Sequence, residues 1–342
     1  MKIRLGMKIG GGFGVLILIV ILLGGLAVFN MMNIKKHSEI LAKEYVPQAK
    51  DAGDIQGQMF LLAYNVRGFY LSDEERYFKD ATAYHDKVLE NIKIAEALAA
   101  VSKNLTKFPA DLKNIKENLD KYWSLFNQLV EASKARTLAF NAVVEHGRTF
   151  VNMTNEYLLE QYNLGKTELK AQTIQVSEAT RRFDRIEAMT EALNIGLTAR
   201  LMVATGIAMK DTEMIKKAAE TFEKSKAPVD NVISTTTLAK NKELLAKVKV
   251  SAENYRNGLT VYLKLWNERV ELAKLLVPQG ILVLDLCDNV SNDGMKSTER
   301  VSNESVKTLN VSSITVAVGL LIAVVISVIV AVVITKLIPR LC

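Results

Sequence analysis

Arginine side chains on apolar helix faces are the groups in this sequence best suited to bind an anion. Arg67 follows Tyr64 by three residues in the apolar stretch MFLLAYNVRGFYL, and a guanidinium can hold a carboxylate through two parallel hydrogen bonds. A rise of about 1.5 Å per residue puts Arg67 about 51 Å along its helix, level with Arg136 and Gln279 on two other helices. We predict a proximal anion site formed by Arg67, Tyr64, Arg136 and Gln279. The alternative is an Arg67 whose head group simply reaches solvent.

A second group of polar residues shares one height farther along the same helices. Arg200 lies in LNIGLTARLMVATG and is level with Asn152 and Thr260 by the same arithmetic. Asn155 and Arg256 lie within one helical turn of that height. These five residues predict a distal binding site, which has less support than the proximal one.

Sequence signatures of enzymes are missing. The chain contains no GxxxxGK[ST] phosphate loop, no GxSxG elbow and no HExxH zinc motif. His37, His85 and His146 are scattered without the helical pairing that a metal site needs. We therefore predict no catalytic residues, no metal site and no cofactor, and a binding role rather than an enzymatic one.

Two uncharged apolar runs indicate helices that cross a membrane. They span residues 13–32 and 312–335, and each matches the roughly 20 residues that a bilayer requires. The first run is long for a cleaved signal peptide and no small-residue cleavage site follows it, so an uncleaved anchor is favoured. The sequence thus divides into segments 1–32, 33–311, 312–335 and 336–342.

The positive charges near these runs predict the orientation of the chain. Five basic residues flank the runs at the two ends, and short basic flanks stay in the cytoplasm; they are Lys2, Arg4, Lys8, Lys336 and Arg340. Both termini are then cytoplasmic, the membrane is the inner one, and residues 33–311 are extracytoplasmic. Residues 33–311 contain the other 39 of the 44 Lys and Arg together with all 37 acids. This segment is therefore nearly neutral, which argues against nucleic-acid binding. The only two cysteines, Cys287 and Cys342, would lie on opposite sides of the membrane and cannot pair.

The outer segment has the apolar spacing of an all-helical bundle. Apolar residues recur at steps of three and four along two seams, namely Leu112, Ile115, Leu119, Tyr122, Phe126 and Leu129, and Leu245, Val248, Ala252, Tyr255, Leu259, Tyr262 and Trp266. Turn residues break the pattern near 72–75, 104–109, 210–213 and 235–241. We predict six helices that form a rod of two stacked four-helix bundles sharing two long helices, with the aromatic residues of the second seam in the core.

A weak internal repeat and the lengths of the helices support this division. Gly68, Asp73, Glu75 and Lys79 recur 138 positions later as Gly206, Asp211, Glu213 and Lys217. The position that corresponds to Arg67 is the uncharged Thr205, so the repeat lends no charge to the distal site. For the chain to begin and end at the membrane, the third helix must continue through Gly165 and turn near 172–177, although a glycine inside a helix costs about 1 kcal/mol.

Several of these features resemble methyl-accepting chemotaxis proteins. They are the opening MKIRLGMKIGGGFGVLILIVILLGG, Val46-Pro47 and Arg67-Gly68 in the first outer helix, the six-helix count, and a second span that ends in ITKLI. More narrowly, the layout is similar to chemoreceptors and sensor kinases with a helical bimodular (HBM) sensing domain. The resemblance covers almost the whole chain through pattern and layout rather than one diagnostic motif.

The resemblance implies a homodimeric sensor that binds a small organic acid or docks a ligand-loaded solute-binding protein, and then moves its second membrane helix. Family members that bind dicarboxylates carry more than one arginine late in the first helix, whereas this chain has only Arg67. The eight residues TKLIPRLC that follow Ile334 contain no signalling domain. We expect the sensory part of a chemoreceptor, with a histidine-kinase sensor and a ligand-free structural rod as alternatives.

Overall fold

The computed structural model describes residues 5–337, and every regular element in that range is a helix. The predicted all-α class is therefore confirmed. Lys2, Arg4, Arg340 and Cys342, on which parts of the orientation and cysteine arguments depend, lie outside the described residues. In chain order the elements are α1 (Leu5–Ile40), a π-helical turn (Leu41–Tyr45), α2 (Val46–Ser72), α3 (Glu75–Val101), α4 (Phe108–Lys170), α5 (Val176–Met209), α6 (Thr212–Glu223), α7 (Lys226–Thr235) and α8 (Ala239–Leu337).

The helix boundaries agree with the predicted turns. α4 continues through Gly165 and ends at Lys170, and Gln172 adopts a positive φ of 56° in the turn before α5. The predicted position of this turn is confirmed to within a few residues. The fifth predicted helix is divided into α6 and α7 at Lys224-Ser225, where the Ser225 hydroxyl donates to the Phe222 carbonyl. Neither this break nor the π-helical turn is predicted by the spacing of apolar and turn residues.

The chain folds into two compact units. Unit 1 contains the residues up to Tyr122 and those from Gln279 onward, and unit 2 contains Trp123–Pro278. Unit 1 therefore holds α1 to α3, the start of α4 and the later part of α8. Unit 2 holds the rest of α4, α5 to α7 and the first part of α8.

The core of unit 1 is built on the first predicted seam. Leu112, Ile115, Leu119 and Tyr122 are all buried. Gly280 lets the Tyr122 ring lie against α8, because a Cβ at that position would come within 2.9 Å of the ring. The seam prediction is confirmed here, since the heptad positions on α4 are the ones that face inward.

The core of unit 2 centres on three aromatic rings. Phe222 lies between Phe150 and Tyr255, with ring centroids 5.1 Å and 4.5 Å away. A Cβ at Gly196 would come within 2.5 Å of the Phe150 ring, so the absence of a side chain there brings α5 close to α4. Tyr255 and Tyr262 are buried, which confirms the prediction that these rings pack in the core.

Within residues 5–337, three helical stretches are long and apolar enough to cross a membrane, judged by length and composition. They are Ile9–Ser72, Ala239–Val333 and Val176–Met209, with peak mean hydropathies of 2.8, 3.3 and 1.4. The sequence predicts the first two. The third is α5, whose apolar residues Met189, Ala192 and Val203 belong to the core of unit 2. Its hydropathy therefore has a packing explanation that the most apolar windows of the other two stretches, 0% and 6% buried, lack.

Candidate functional site

Two buried arginines on α5 lie at the centre of a group of charges in unit 2. Arg182 and Arg185 lie one turn apart on the same face of the helix, and both side chains are about nine-tenths buried. Glu168 of α4 and Glu178 of α5 pair with them. We call these four residues the arginine cluster.

Arg182 connects α5 to α4 through a two-pronged ion pair. Its two terminal nitrogens each donate to one oxygen of Glu168, both at 2.8 Å. Gly165 leaves room for this contact, because a Cβ there would lie 3.3 Å from Arg182 Nη1 and 3.5 Å from Cδ. The glycine that appears in the sequence only as a cost to the helix thus provides the space in which the guanidinium reaches Glu168.

Arg185 connects α5 to α7. Its Nη2 donates to Glu178 at 2.6 Å, and its Nη1 donates to the Thr235 carbonyl at 3.2 Å. Thr235 is the last residue of α7, where a positive charge is favoured by the helix dipole. Beside this contact, the hydroxyls of Tyr157 and Thr236 lie 3.4 Å apart. The cluster therefore joins three helices at the end of unit 2 that carries the α4–α5 turn.

The electrostatics of the cluster follow from these contacts. The hydrogen bonds from Arg182 hold the pKa of Glu168 below its usual range, and those from Arg185 and then Arg181 lower the pKa of Glu178. Burial raises the pKa of Tyr157. The Nε atoms of Arg182 and Arg185 are buried without a hydrogen-bond partner, which offsets part of the stabilisation. Each guanidinium is already paired with a glutamate of the same chain. The cluster is therefore better suited to holding helices together than to binding a ligand.

The predicted distal residues lie on several faces of unit 2. Asn152, Asn155 and Thr260 are exposed. Arg256 pairs with Glu223 at 2.6 Å and lines a cavity of about 30 Å³ beside the α6–α7 break. That volume holds about one or two water molecules.

Arg200 is half-buried, and its Cδ would lie 3.3 Å from a Cβ at Gly147. The distal site therefore stays a prediction, without an enclosed pocket that gathers its five residues.

The predicted proximal residues are divided between the two units. In unit 1, Tyr64 and Arg67 are exposed on α2, while Gln279 Nε2 donates to the carbonyl and side-chain oxygens of Asn118 at 3.0 and 3.1 Å. In unit 2, the Arg136 guanidinium lies over the Trp266 ring, 5.0 Å from its centre. The proximal site also stays a prediction. Each of Gln279 and Arg136 already has a contact within its own unit.

The arginines that the fold buries differ from those that the sequence pattern predicts. Arg269 on α8 is buried in unit 2, and its Nε donates to the Ser133 hydroxyl at 2.7 Å. For the arginine cluster, the available signal was Gly165 with Glu168 one turn later, facing the RRFDR segment across a short turn. No group of histidine, cysteine or acidic residues that could hold a metal ion occurs among the described residues.

Comparison with known proteins shows a likeness in fold but none in sequence family. No family model and no curated protein matches the chain. Among solved structures, the sensor domain of TorS, from its complex with TorT in the presence of TMAO, superimposes with a TM-score of 0.50. The match covers 75% of this chain and all of the TorS domain at 10% identity. At that identity the likeness establishes a shared helical fold.

Proposed function

We propose that this chain is the sensing and membrane-spanning part of a bacterial signal-transduction receptor, and that it reads its stimulus by docking a solute-binding protein. The observation that carries the proposal is the fold shared with the TorS sensor domain, which was solved as a complex with TorT. In this reading the output is that of a two-component histidine kinase. The histidine-kinase alternative from the sequence is therefore preferred over the chemoreceptor.

The state of the arginines supports docking over capture of a small ligand inside the bundle. Arg182 and Arg185 are the buried pair that an organic acid would need, yet both are engaged by glutamates of the chain itself. Arg67 is exposed, so it is placed to contact a partner surface as readily as a solute.

We further propose that the chain crosses the inner membrane twice, with both ends in the cytoplasm. The two most apolar windows are 0% and 6% buried within the protein, as expected for surfaces that face lipid. Reporter fusions placed after Lys36 and after Asn310 should behave as exported. A cytoplasmic signal from either fusion would contradict the proposal.

A homodimer is expected because α2 carries an exposed apolar strip. Phe60, Tyr64 and Leu71 share one side of this helix with Gly53 and Gly57, and the three large side chains are each more than half exposed. Sedimentation of the detergent-solubilised chain should give a dimer, and Phe60→Glu should weaken it. A monomer at all concentrations would contradict this expectation.

The central test offers the intact chain, reconstituted in nanodiscs, to a periplasmic extract of the source cells. We expect retention of a solute-binding protein whose purified form rebinds the chain only when loaded with its solute. Failure of every purified solute-binding protein to rebind would defeat the proposal.

The chemoreceptor reading stays as the second candidate because of the sequence resemblance, and calorimetry with organic acids tests it. If an acid binds directly, Arg67→Ala should lower its affinity about 30- to 1000-fold through loss of a bidentate contact. Arg76→Ala, which removes an exposed arginine paired with Glu74, is the control. If the chain binds neither an acid nor a protein, the structural-rod alternative is favoured.

A further inference from the structure

The π-helical turn Leu41–Tyr45 has a visible cause in the sequence. The Val46 amide donates to the Leu41 carbonyl, five residues back instead of four. Pro47 follows directly, and a proline in a regular helix lacks the amide hydrogen and crowds the carbonyl four residues earlier, here that of Lys43. Widening the turn before the proline relieves that crowding.

The turn changes the register between two antiparallel helices of unit 1. A Cβ on Gly12 would touch Val330, and one on Gly319 would touch Leu23. The number of residues from Gly12 to Leu23 equals the number from Gly319 to Val330. In this region α1 and α8 therefore pair with no inserted residue in either helix.

Beyond the turn this register is offset. A Cβ on Gly294 would touch Ala49. Leu23 and Ala49 are separated by one residue more than Gly294 and Gly319. A π-turn inserts one residue into a helix, so Leu41–Tyr45 accounts for the offset.

A short loop is attached to the turn and also to α8. Glu44, inside the turn, accepts hydrogen bonds from the Asn104 backbone amide at 2.8 Å and side-chain amide at 3.0 Å. Lys107, at the other end of the α3–α4 loop, pairs with Asp293 of α8 at 2.9 Å. Tyr45 and these loop residues line an open cleft of about 240 Å³. The α3–α4 loop therefore contacts both the π-helical turn and the α8 segment near Gly294.

The turn can rearrange without opening the core. None of its five residues is buried, and Ala42 and Lys43 are exposed. Segments with few buried contacts are those that change conformation at low cost. Conversion of the turn to a regular α-helix would shift the register of α1 by one residue. This shift moves α1 by about 1.5 Å and rotates it by about 100° relative to α2.

We propose that the Leu41–Tyr45 turn is a one-residue register switch between α1 and α8, set by Pro47 and held by the contact of Glu44 with Asn104. In the alternative register Gly24 replaces Leu23 opposite Gly319. The use of this step as a transmembrane signal rests on the proposed function. The register itself does not depend on that function, so it can be tested without a partner or a solute.

The test measures disulfide cross-linking in membranes in the full chain, with Cys287 and Cys342 first replaced by alanine. Two double variants are compared, one with Leu23→Cys and Gly319→Cys and the other with Gly24→Cys and Gly319→Cys. In the parent the first should cross-link faster. Adding Pro47→Ala should change the ratio of the two rates at least about tenfold toward the second pair, because the proline that disfavours a regular helix is gone.

Two further variants make the result decisive. Pro278→Ala removes a proline from inside α8, where the helix is continuous, and should leave the ratio unchanged. Deleting Ala42 together with Pro47→Ala removes the inserted residue and should restore preference for the first pair. The proposal is overturned if Pro47→Ala leaves the ratio at the parent value, or if the deletion fails to restore it.

Discussion

The two units stabilise their buried polar groups in opposite ways. Unit 2 buries arginines and matches them with glutamates, as in the pair of Arg182 with Glu168. Among the described residues unit 1 buries no arginine, and its buried polar side chains are those of Gln48, Asp51, Asn65, His85 and Asn118. Burial is the main cause that raises the pKa of Asp51, whereas hydrogen bonds from arginine lower the pKa of Glu168.

This difference determines which substitutions each unit should tolerate. A buried charge whose partner is removed is left uncompensated, while a buried amide that loses a partner forfeits only hydrogen bonds. Unit 2 should therefore be the more sensitive to loss of a single charged group. Its unfolding can be followed directly, because both tryptophans, Trp123 and Trp266, belong to it.

The largest expected effect is that of Glu168→Ala. The substitution leaves the buried Arg182 guanidinium without its bidentate partner, which should lower the free energy of unfolding by about 3–5 kcal/mol. Tryptophan fluorescence during urea unfolding measures it. Glu145→Ala is the matched control, since Glu145 also lies on α4 and pairs with an arginine, Arg148, but on the surface, where a pair contributes about 1 kcal/mol or less. Equal effects of the two substitutions would remove the distinction drawn between the units.

In unit 1, Gln279→Leu should have a smaller effect. It removes the amide that donates to both oxygens of Asn118, and a buried acceptor without a donor costs about 1–3 kcal/mol. Hydrogen exchange of the α4 segment around Asn118 should become faster by a corresponding factor. Gln128→Leu, which removes an exposed amide 3.4 Å from the Ser124 hydroxyl, should leave exchange unchanged. An unperturbed α4 segment in Gln279→Leu would show that the amide contact contributes little.

Gly165→Ala should reveal the coupling between the glycine and Arg182. In an otherwise unconstrained helix this substitution stabilises by about 1 kcal/mol, but here the new methyl group crowds the guanidinium. We expect the full gain only in the Arg182→Ala background, so the double-mutant cycle should be non-additive. Additive free energies would mean that Gly165 does not make room for the arginine.

Acidification should produce the smallest effect, with opposite signs in the two units. Glu168 has a lowered pKa in the folded state, so its contribution is present above pH 4.5 and is lost as pH falls through the folded pKa. Asp51 has a raised pKa, so the cost of its ionised form disappears as pH falls toward 3.8. Comparing the parent with Glu168→Gln and with Asp51→Asn isolates each contribution. The same sign in both comparisons would contradict the assignment.

The sequence predicts the helices better than the site because the two depend on different information. Heptad spacing and turn residues are local, and they place α4 through Gly165 and locate the α4–α5 turn. The burial of Arg182 depends on which helix lies across the turn, and the RRFDR segment by itself has the composition of a solvated face. Arg67 shows the converse, since its apolar surroundings in the sequence are compatible with an inward side chain and with one that reaches solvent, and the structure shows it exposed.

The order of the two units along the chain has a consequence for biosynthesis. Unit 2 is one continuous stretch, whereas unit 1 needs residues from both ends, and Tyr122 meets Gly280 only after all of unit 2 has been made. At about 5–20 residues per second, the roughly 150 intervening residues take on the order of 10–30 s to synthesise. Throughout that interval α2 lacks its α8 neighbour, the helix that Ala49 meets at Gly294. The nascent chain therefore passes through a stage in which all of unit 2 has been synthesised while unit 1 still lacks its α8 residues.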